Sequence, residues 1–211
     1  MRRIVSQVHT YAAVSSEGAS DLYFATGTTG LNLGYRKAKP TKREKEMAAA
    51  LGQDALPAIA SGVGSEEYRD ILGGTGAHAT QPGLLKEMAA IFDGVGRAWT
   101  WQQDGARAHT ICRTTKLGKA TRQLILTHAN DLIDDWPALS ADLTPIENFW
   151  ALTEHRLWSA YTWHNLDSFK IALRKAWKDV TSDKNVLKSV CGSFEKRRVS
   201  CIAEGGKKIN Y

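Results

Sequence analysis

Apolar and polar positions along the chain follow two periods, one of strands and one of helices. Ile4 to Val14 and Leu22 to Thr26 are β-branched and aromatic runs separated by Ser15-Ser-Glu-Gly18, which predicts a β-hairpin. His9 fits a half-buried filler of its first strand, and Asp21 a solvated residue beside the turn. Residues 27–65 carry no clear period; within them Glu46 to Leu56 predicts at most one short helix. Ser65 is placed to cap a helix over 66–72. After a glycine-rich break, Pro82 starts an amphipathic helix with Leu84, Leu85, Met88, Ile91 and Phe92 on one side, closed by Gly94 and Gly96. Trp99 to Asp104 then reads as a buried strand that ends at an acid and a glycine.

Beyond that strand, Thr110 is placed to cap a helix from Ile111 to about Ala120. Arg122 to Thr127 and Asp131 to Trp136 are apolar runs, the second read as a strand leading into the loop that begins at Trp136-Pro137. Thr144 and Pro145 suit the start of a helix whose Ile146, Phe149, Trp150, Thr153 and Leu157 share one face. The remainder, 160–211, is helical. Leu166, Phe169, Leu173, Trp177 and Val180 form one apolar stripe, and Leu187, Val190, Cys191, Phe194 and Ile202 another, stopped by Gly205-Gly206. The tryptophans and phenylalanines there are read as core. The expected fold class is α/β: a mixed sheet flanked by helices, with a helical C-terminal end, in a single domain over 1–211.

Composition changes this picture little. The 211 residues are 43% hydrophobic and 24% charged, ordinary for a globular chain. A net charge of +6 tilts the expected partner towards a polyanion. Cys112, Cys191 and Cys201 have no metal-ligand spacing and are read as reduced packing residues, in nucleus or cytosol rather than outside the cell. No apolar run suits a membrane span, and the first residues do not read as a secretory signal.

Two carboxylates carry the candidate chemistry. Asp104 stands at a strand end and Glu147 in the first turn of a helix, and acids so placed can converge on a hard divalent cation. Each has a plainer reading. Thr144-Pro-Ile-Glu147 is a capping box by pattern, and Asp104-Gly105 suits a turn, as Asp142 suits an Asx-turn. Candidate phosphate contacts are Lys37, Lys39, Lys42 and Arg43 in the basic run 36–46, then Arg113, Lys116 and Lys119, then Arg197 and Arg198. Solvation alone would also explain each of these.

Gln102-Gln-Asp104-Gly-Ala-Arg-Ala-His109, followed by Asp135-Trp-Pro and Ser140-Ala-Asp-Leu-Thr-Pro-Ile-Glu147-Asn-Phe-Trp150, resembles the catalytic domain of mariner-type transposases. These belong to the DDE recombinases with a ribonuclease H-like fold. The resemblance implies that Asp104 and Glu147 are the second and third acids of a metal-binding triad. It implies Mg2+ or Mn2+ as cofactor and DNA (transposon ends and target) as partner, and it makes a homodimer a further expectation. His109 matches a His that the family often carries five residues beyond its second acid, which would put it near the metal or the DNA, with a capping or packing histidine as the equal alternative; Asn148 is a near-site candidate beside Glu147. Segment 27–65 reads as an insertion relative to the family. The family more often has Pro and Asn where Ala141 and Thr144 stand. No acid precedes Glu17, so the family's first Asp has no counterpart, its strand is expected to be missing, and the chain reads as a truncated or decayed copy that nicks DNA poorly. The competing expectations are a catalytically inactive nucleic-acid-binding domain and a protein-interaction domain.

Overall fold

A computed structural model describes residues 8–25 and 63–209, apart from 107, 110, 112, 138 and 139. The hairpin is present. β1 (Thr10–Tyr11) pairs antiparallel with β2 (Tyr23–Phe24), Thr10 opposite Phe24. Its turn is held by Ser15, whose Oγ accepts the Glu17 and Gly18 amides at 3.2 and 3.1 Å. Asp21 is exposed, as expected, and its amide donates to Glu87 at 2.6 Å.

α1 (Ser65–Gly73) begins one residue earlier than the pattern suggested. Gly64 takes the N-cap position, so Ser65 is helical rather than capping. The turn after α1 depends on glycine: Gly74 has φ 65°, and a Cβ there would lie 2.4 Å from the Gln81 and Pro82 carbonyl oxygens. Only a residue without a side chain permits that approach. α2 (Leu84–Val95) follows, ending at Gly96 in the left-handed region, with Gly94 inside the helix. β3 (Thr100–Trp101) pairs in parallel with β4 (Asp131–Leu132). Parallel strands need a crossover, and α3 (Lys116–His128) supplies it.

α3 corrects the helix expected over 111–120. Thr115, not Thr110, caps it, its side chain accepting the Gly118 amide at 3.1 Å. The run 122–127 continues that helix, because Thr121 and Ile125 recur at helical spacing and are its buried residues. α4 (Ile146–Ala160) buries Phe149, Thr153 and Leu157 as expected. It packs along α5 (Leu166–Thr181), which opens with an Asn165–Ser168 capping box. The last stripe divides into α6 (Lys184–Gly192) and α7 (Phe194–Ala203), interrupted at Ser193, whose hydroxyl donates to the Val190 carbonyl at 2.6 Å. The break turns Ile202 out to solvent, and Trp158 on α4 is also exposed, at 63%, so neither is core.

Two apolar clusters dominate. One gathers Tyr23, Ile71, Leu72, Leu85, Met88, Trp101, Ile125 and Leu132 between the hairpin, α1, α2, α3 and both later strands. The other joins Leu22 to Phe149, Trp177 and Leu187. Trp177 Nε1 donates to the Ser20 carbonyl at 2.8 Å, which ties α5 to the hairpin.

The α/β class holds, but the single mixed sheet is replaced, among the described residues, by two sheets of two strands. Their outer edges face one groove of about 370 Å³, lined on one side by Ala12 to Ser15 and on the other by Trp99 to Gln102. On β1, the His9 and Ala13 carbonyls accept from Ala25 and Ser20; alternation therefore turns the Ala12 backbone away from β2. On β3, the Trp99 and Trp101 carbonyls accept from Asn130 and Ile133, which turns the Thr100 backbone away from β4. No helix among the described residues is long and apolar enough to cross a membrane.

Candidate functional site

Asp104 lies just past β3, in a loop held from beneath by Gln103. Alternation along the strand buries Trp99, Trp101 and Gln103 together. Gln103 Oε1 accepts from Tyr68 Oη at 2.7 Å and Trp101 Nε1 at 3.0 Å, and its Nε2 donates to the His109 carbonyl at 2.7 Å. A buried amide with three partners is costly to disturb, and this one fixes both ends of the loop 104–109. The Asp104 side chain, 56% exposed, accepts the Ala106 amide at 3.1 Å and lies 2.5 Å from His109 Nδ1. These contacts match the turn reading of Asp104. His109 packs on the Tyr68 ring, centroids 4.2 Å apart, and edge-on to Tyr11 at 5.9 Å. Burial, then the charges of Glu67 and Asp104, push the Tyr11 hydroxyl up to about 12. Burial chiefly raises Tyr68 as well.

Glu147 is exposed in the first turn of α4. The capping box does not form: Thr144 Oγ1 donates to the Ser140 carbonyl at 3.3 Å, and Pro145 takes the N-cap position with no side-chain cap bond. The Glu147 carboxyl titrates above the usual Glu value, through partial desolvation first and the nearby negative charge of Asp104 second. Gln102, two residues before Asp104, and Thr144-Pro145-Ile146, just before Glu147, line the same groove. Among the described residues no group of three or more His, Cys, Asp or Glu side chains is arranged to hold a metal ion.

The raised carboxyl has a sign that can be measured. A group titrating higher in the folded chain than in the unfolded one contributes full stability below its unfolded pKa and loses it as pH rises through the folded value. Glu147→Gln is therefore expected to melt slightly above the native chain near neutral pH and level with it at about pH 3.5, below the ordinary Glu range. Thermal melts at the two pH values check this; a variant that melts lower near neutrality contradicts it.

Curated relatives share sequence with part of this chain. The Tc3 transposable-element transposase of Caenorhabditis elegans is 34% identical over 112 residues, 53% of this chain and 31% of that protein. The Tcb1 transposase of Caenorhabditis briggsae is 28% identical and the Tc1 transposase of C. elegans 29% identical, each over 117 residues, 56% of this chain and 39% of theirs. This chain contains a transposase-related domain. It spans about a third of the length of the curated relatives it matches. No family model matches, and no solved structure gives a significant match.

In this transposase-related domain the candidate basic residues fare unequally. Lys37, Lys39, Lys42 and Arg43 lie outside the described residues. Lys116 and Lys119 are exposed on α3. Arg113 is exposed but pairs with Asp134, which also takes Arg122. Arg198 pairs with Glu195 one helical turn back.

Arg197 is a correction. It is 3% exposed and donates to Ser193, to the Asp142 carbonyl and to Asn148 Oδ1, so it has no surface to offer a phosphate. Asn148, expected near the site, directs its carbonyl oxygen to Arg197. Asp142 makes no Asx-turn; its Oδ2 accepts the Ile209 amide at 2.8 Å. Cys191 is half-buried, with burial pushing its thiol up to about 11, which suits a packing role.

Gln103 and Arg197 were the residues the sequence concealed. Gln103 had a usable signal, since it continues the alternation of Trp99 and Trp101. Arg197 stands three residues beyond Phe194, a basic residue in register with an apolar stripe.

Proposed function

We propose that this chain is part of the catalytic domain of a DDE-type DNA transposase, in which Asp104 and Glu147 hold one Mg2+ or Mn2+ ion against a DNA phosphate. The reading rests on the likeness to transposases together with two exposed carboxylates on separate elements, Asp104 just past β3 and Glu147 in the first turn of α4. Two carboxylates fit a hard cation completed by water and phosphate oxygens. Bound there, such an ion would polarise a phosphoryl oxygen and lower the pKa of an attacking water. The chain's own contribution is placement: Gln103 holds the Asp104 loop, and His109 orients one Asp104 oxygen. The ribonuclease H-like fold belongs to the same proposal. The antiparallel pair and the parallel pair would be two parts of one mixed sheet, and the groove between them is where a further strand would join β1 to β3. Transposon ends and target DNA are the proposed partners, and the nucleus the proposed location.

A second reading, an inactive nucleic-acid-binding domain of transposon origin, is favoured by one observation. The described residues offer two site acids, and His109 already engages one of them. Strand nicking in Mn2+ separates the readings: nicking that is lost in both Asp104→Asn and Glu147→Gln supports the enzyme, and DNA binding without nicking supports the second.

Both readings expect DNA binding through exposed lysines. If Lys116 and Lys119 neutralise about two phosphates, affinity should fall about tenfold on a fourfold rise in salt. The Lys116→Glu/Lys119→Glu chain should bind more weakly and with a shallower salt slope. Binding indifferent to salt removes the phosphate contacts.

A further inference from the structure

We propose that Arg197 is a positioning residue for Glu147, holding the first turn of α4, and with it this carboxylate, against the segment that begins at Asp142. The inference rests on the acid-pair reading above and extends it to the C-terminal helices.

Arg197 is buried although α7 is otherwise largely exposed. Its Nε donates to Ser193 Oγ at 2.9 Å, one terminal nitrogen donates to the Asp142 carbonyl at 3.1 Å, and the other donates to Asn148 Oδ1 at 2.5 Å. Two of these acceptors bracket the segment 142–148, which contains Glu147. The planar guanidinium cannot follow a rotation of Asn148 without losing one of its bonds. Asp142 is in turn held by the Ile209 amide, near the end of the described chain, and Trp136 stacks on Phe194 at the head of α7, ring centroids 6.1 Å apart.

Burial of Phe149 sets the rotation of α4 from its core side, but the start of the helix has no side-chain cap on the side of Glu147. Pro145 brings no N–H and no capping side chain, and Thr144 spends its hydroxyl on Ser140. Successive helical residues point about 100° apart, so fixing Asn148 fixes the direction of Glu147. A stabilising role alone is a weak explanation for such a residue. Burying a guanidinium carries a desolvation penalty, and apolar replacements of buried charged groups are often neutral or better for stability. What the arginine adds is geometry.

The test measures backbone amide exchange and Mn2+ binding in the full chain, with Arg197→Met and Asn148→Ala compared with the native protein. The expected result is roughly tenfold faster exchange at residues 143, 144, 147, 148 and 209, with the amides of α5 unchanged. Mn2+ affinity, read by electron paramagnetic resonance, should fall about tenfold, as for other groups that orient a ligand from behind. Unchanged exchange in 143–148, or equal acceleration in α5, overturns the proposal. Faster exchange there with undiminished Mn2+ affinity also overturns it whenever native binding depends on Asp104 and Glu147. If native Mn2+ binding does not depend on those acids, the acid-pair reading fails by itself, and exchange still decides whether Arg197 sets the helix start. Asn148→Ala leaves the bonds of Arg197 to Ser193 and to the Asp142 carbonyl intact and decides the matter if Arg197→Met does not fold.

Discussion

Trp177→Ala is expected to destabilise the domain by about 4 kcal/mol, the range for deleting a buried tryptophan. For a chain of this size that corresponds to a fall in Tm of about 10 °C. The residue is 2% exposed, stacks near Trp150 with ring centroids 4.9 Å apart, and meets Phe149 edge-on at 6.3 Å. Its indole N–H holds the Ser20 carbonyl across a sequence separation of 157 residues. Truncation therefore opens a cavity between α4 and α5 and strips the hairpin of its tether to α5. Trp177→Phe keeps one aromatic ring while losing the hydrogen bond and part of the volume, so its cost should fall between about 1 kcal/mol and that of the alanine variant. Urea unfolding followed by circular dichroism gives both values. A loss below about 1 kcal/mol for the alanine variant would show that the second cluster adds little to cooperativity.

Asp104→Asn should weaken Mn2+ binding at least tenfold, because it removes one of two charged oxygen donors while keeping the side chain's shape. The asparagine oxygen can still accept the Ala106 amide that Asp104 now accepts, so the loop should hold and circular dichroism should be unchanged. Removing the like charge also relieves Glu147, whose carboxyl should titrate closer to its ordinary value. Electron paramagnetic resonance titration with Mn2+ reads the first effect and carbon NMR of the Glu side chains the second. Undiminished Mn2+ binding in this variant would leave Asp104 as a turn residue partnered by His109. His109→Ala is the control. Freeing the Asp104 oxygen that His109 Nδ1 now engages should strengthen Mn2+ binding if His109 competes with the ion, and weaken it if His109 orients the carboxylate.

The sequence by itself determined the elements whose periodicity is strong. α2 was legible because Leu84, Leu85 and Met88 recur at helical spacing, and α4 and α5 for the same reason. The hairpin was legible because apolar runs flank a turn-forming segment. Asp104 and Glu147 stood out through the motifs around them, 102–109 and 140–150; on pattern alone each also suited a turn or a cap. Local pattern failed where local signals compete. Thr110 was the expected cap, and the burial of Thr121 and Ile125 against the core goes with a helix that Thr115 caps instead. Thr144 and Glu147 satisfied the capping pattern, yet the Thr144 hydroxyl found the Ser140 carbonyl instead.

Tertiary structure alone decided the rest, because those facts are contacts between distant residues. Sequence spacing does not say that the two strand pairs remain separate sheets facing one groove, since strand pairing depends on how the helices pack over them. Nor does it say that Gln102 and Thr144-Pro145-Ile146 line one groove, which depends on α3 returning the chain to β4 and on where α4 then starts. Arg197 is the sharpest case. On a helix rich in charge it reads as a surface residue, and only the packing of α7 against 142–148 desolvates it and turns its guanidinium onto Asn148.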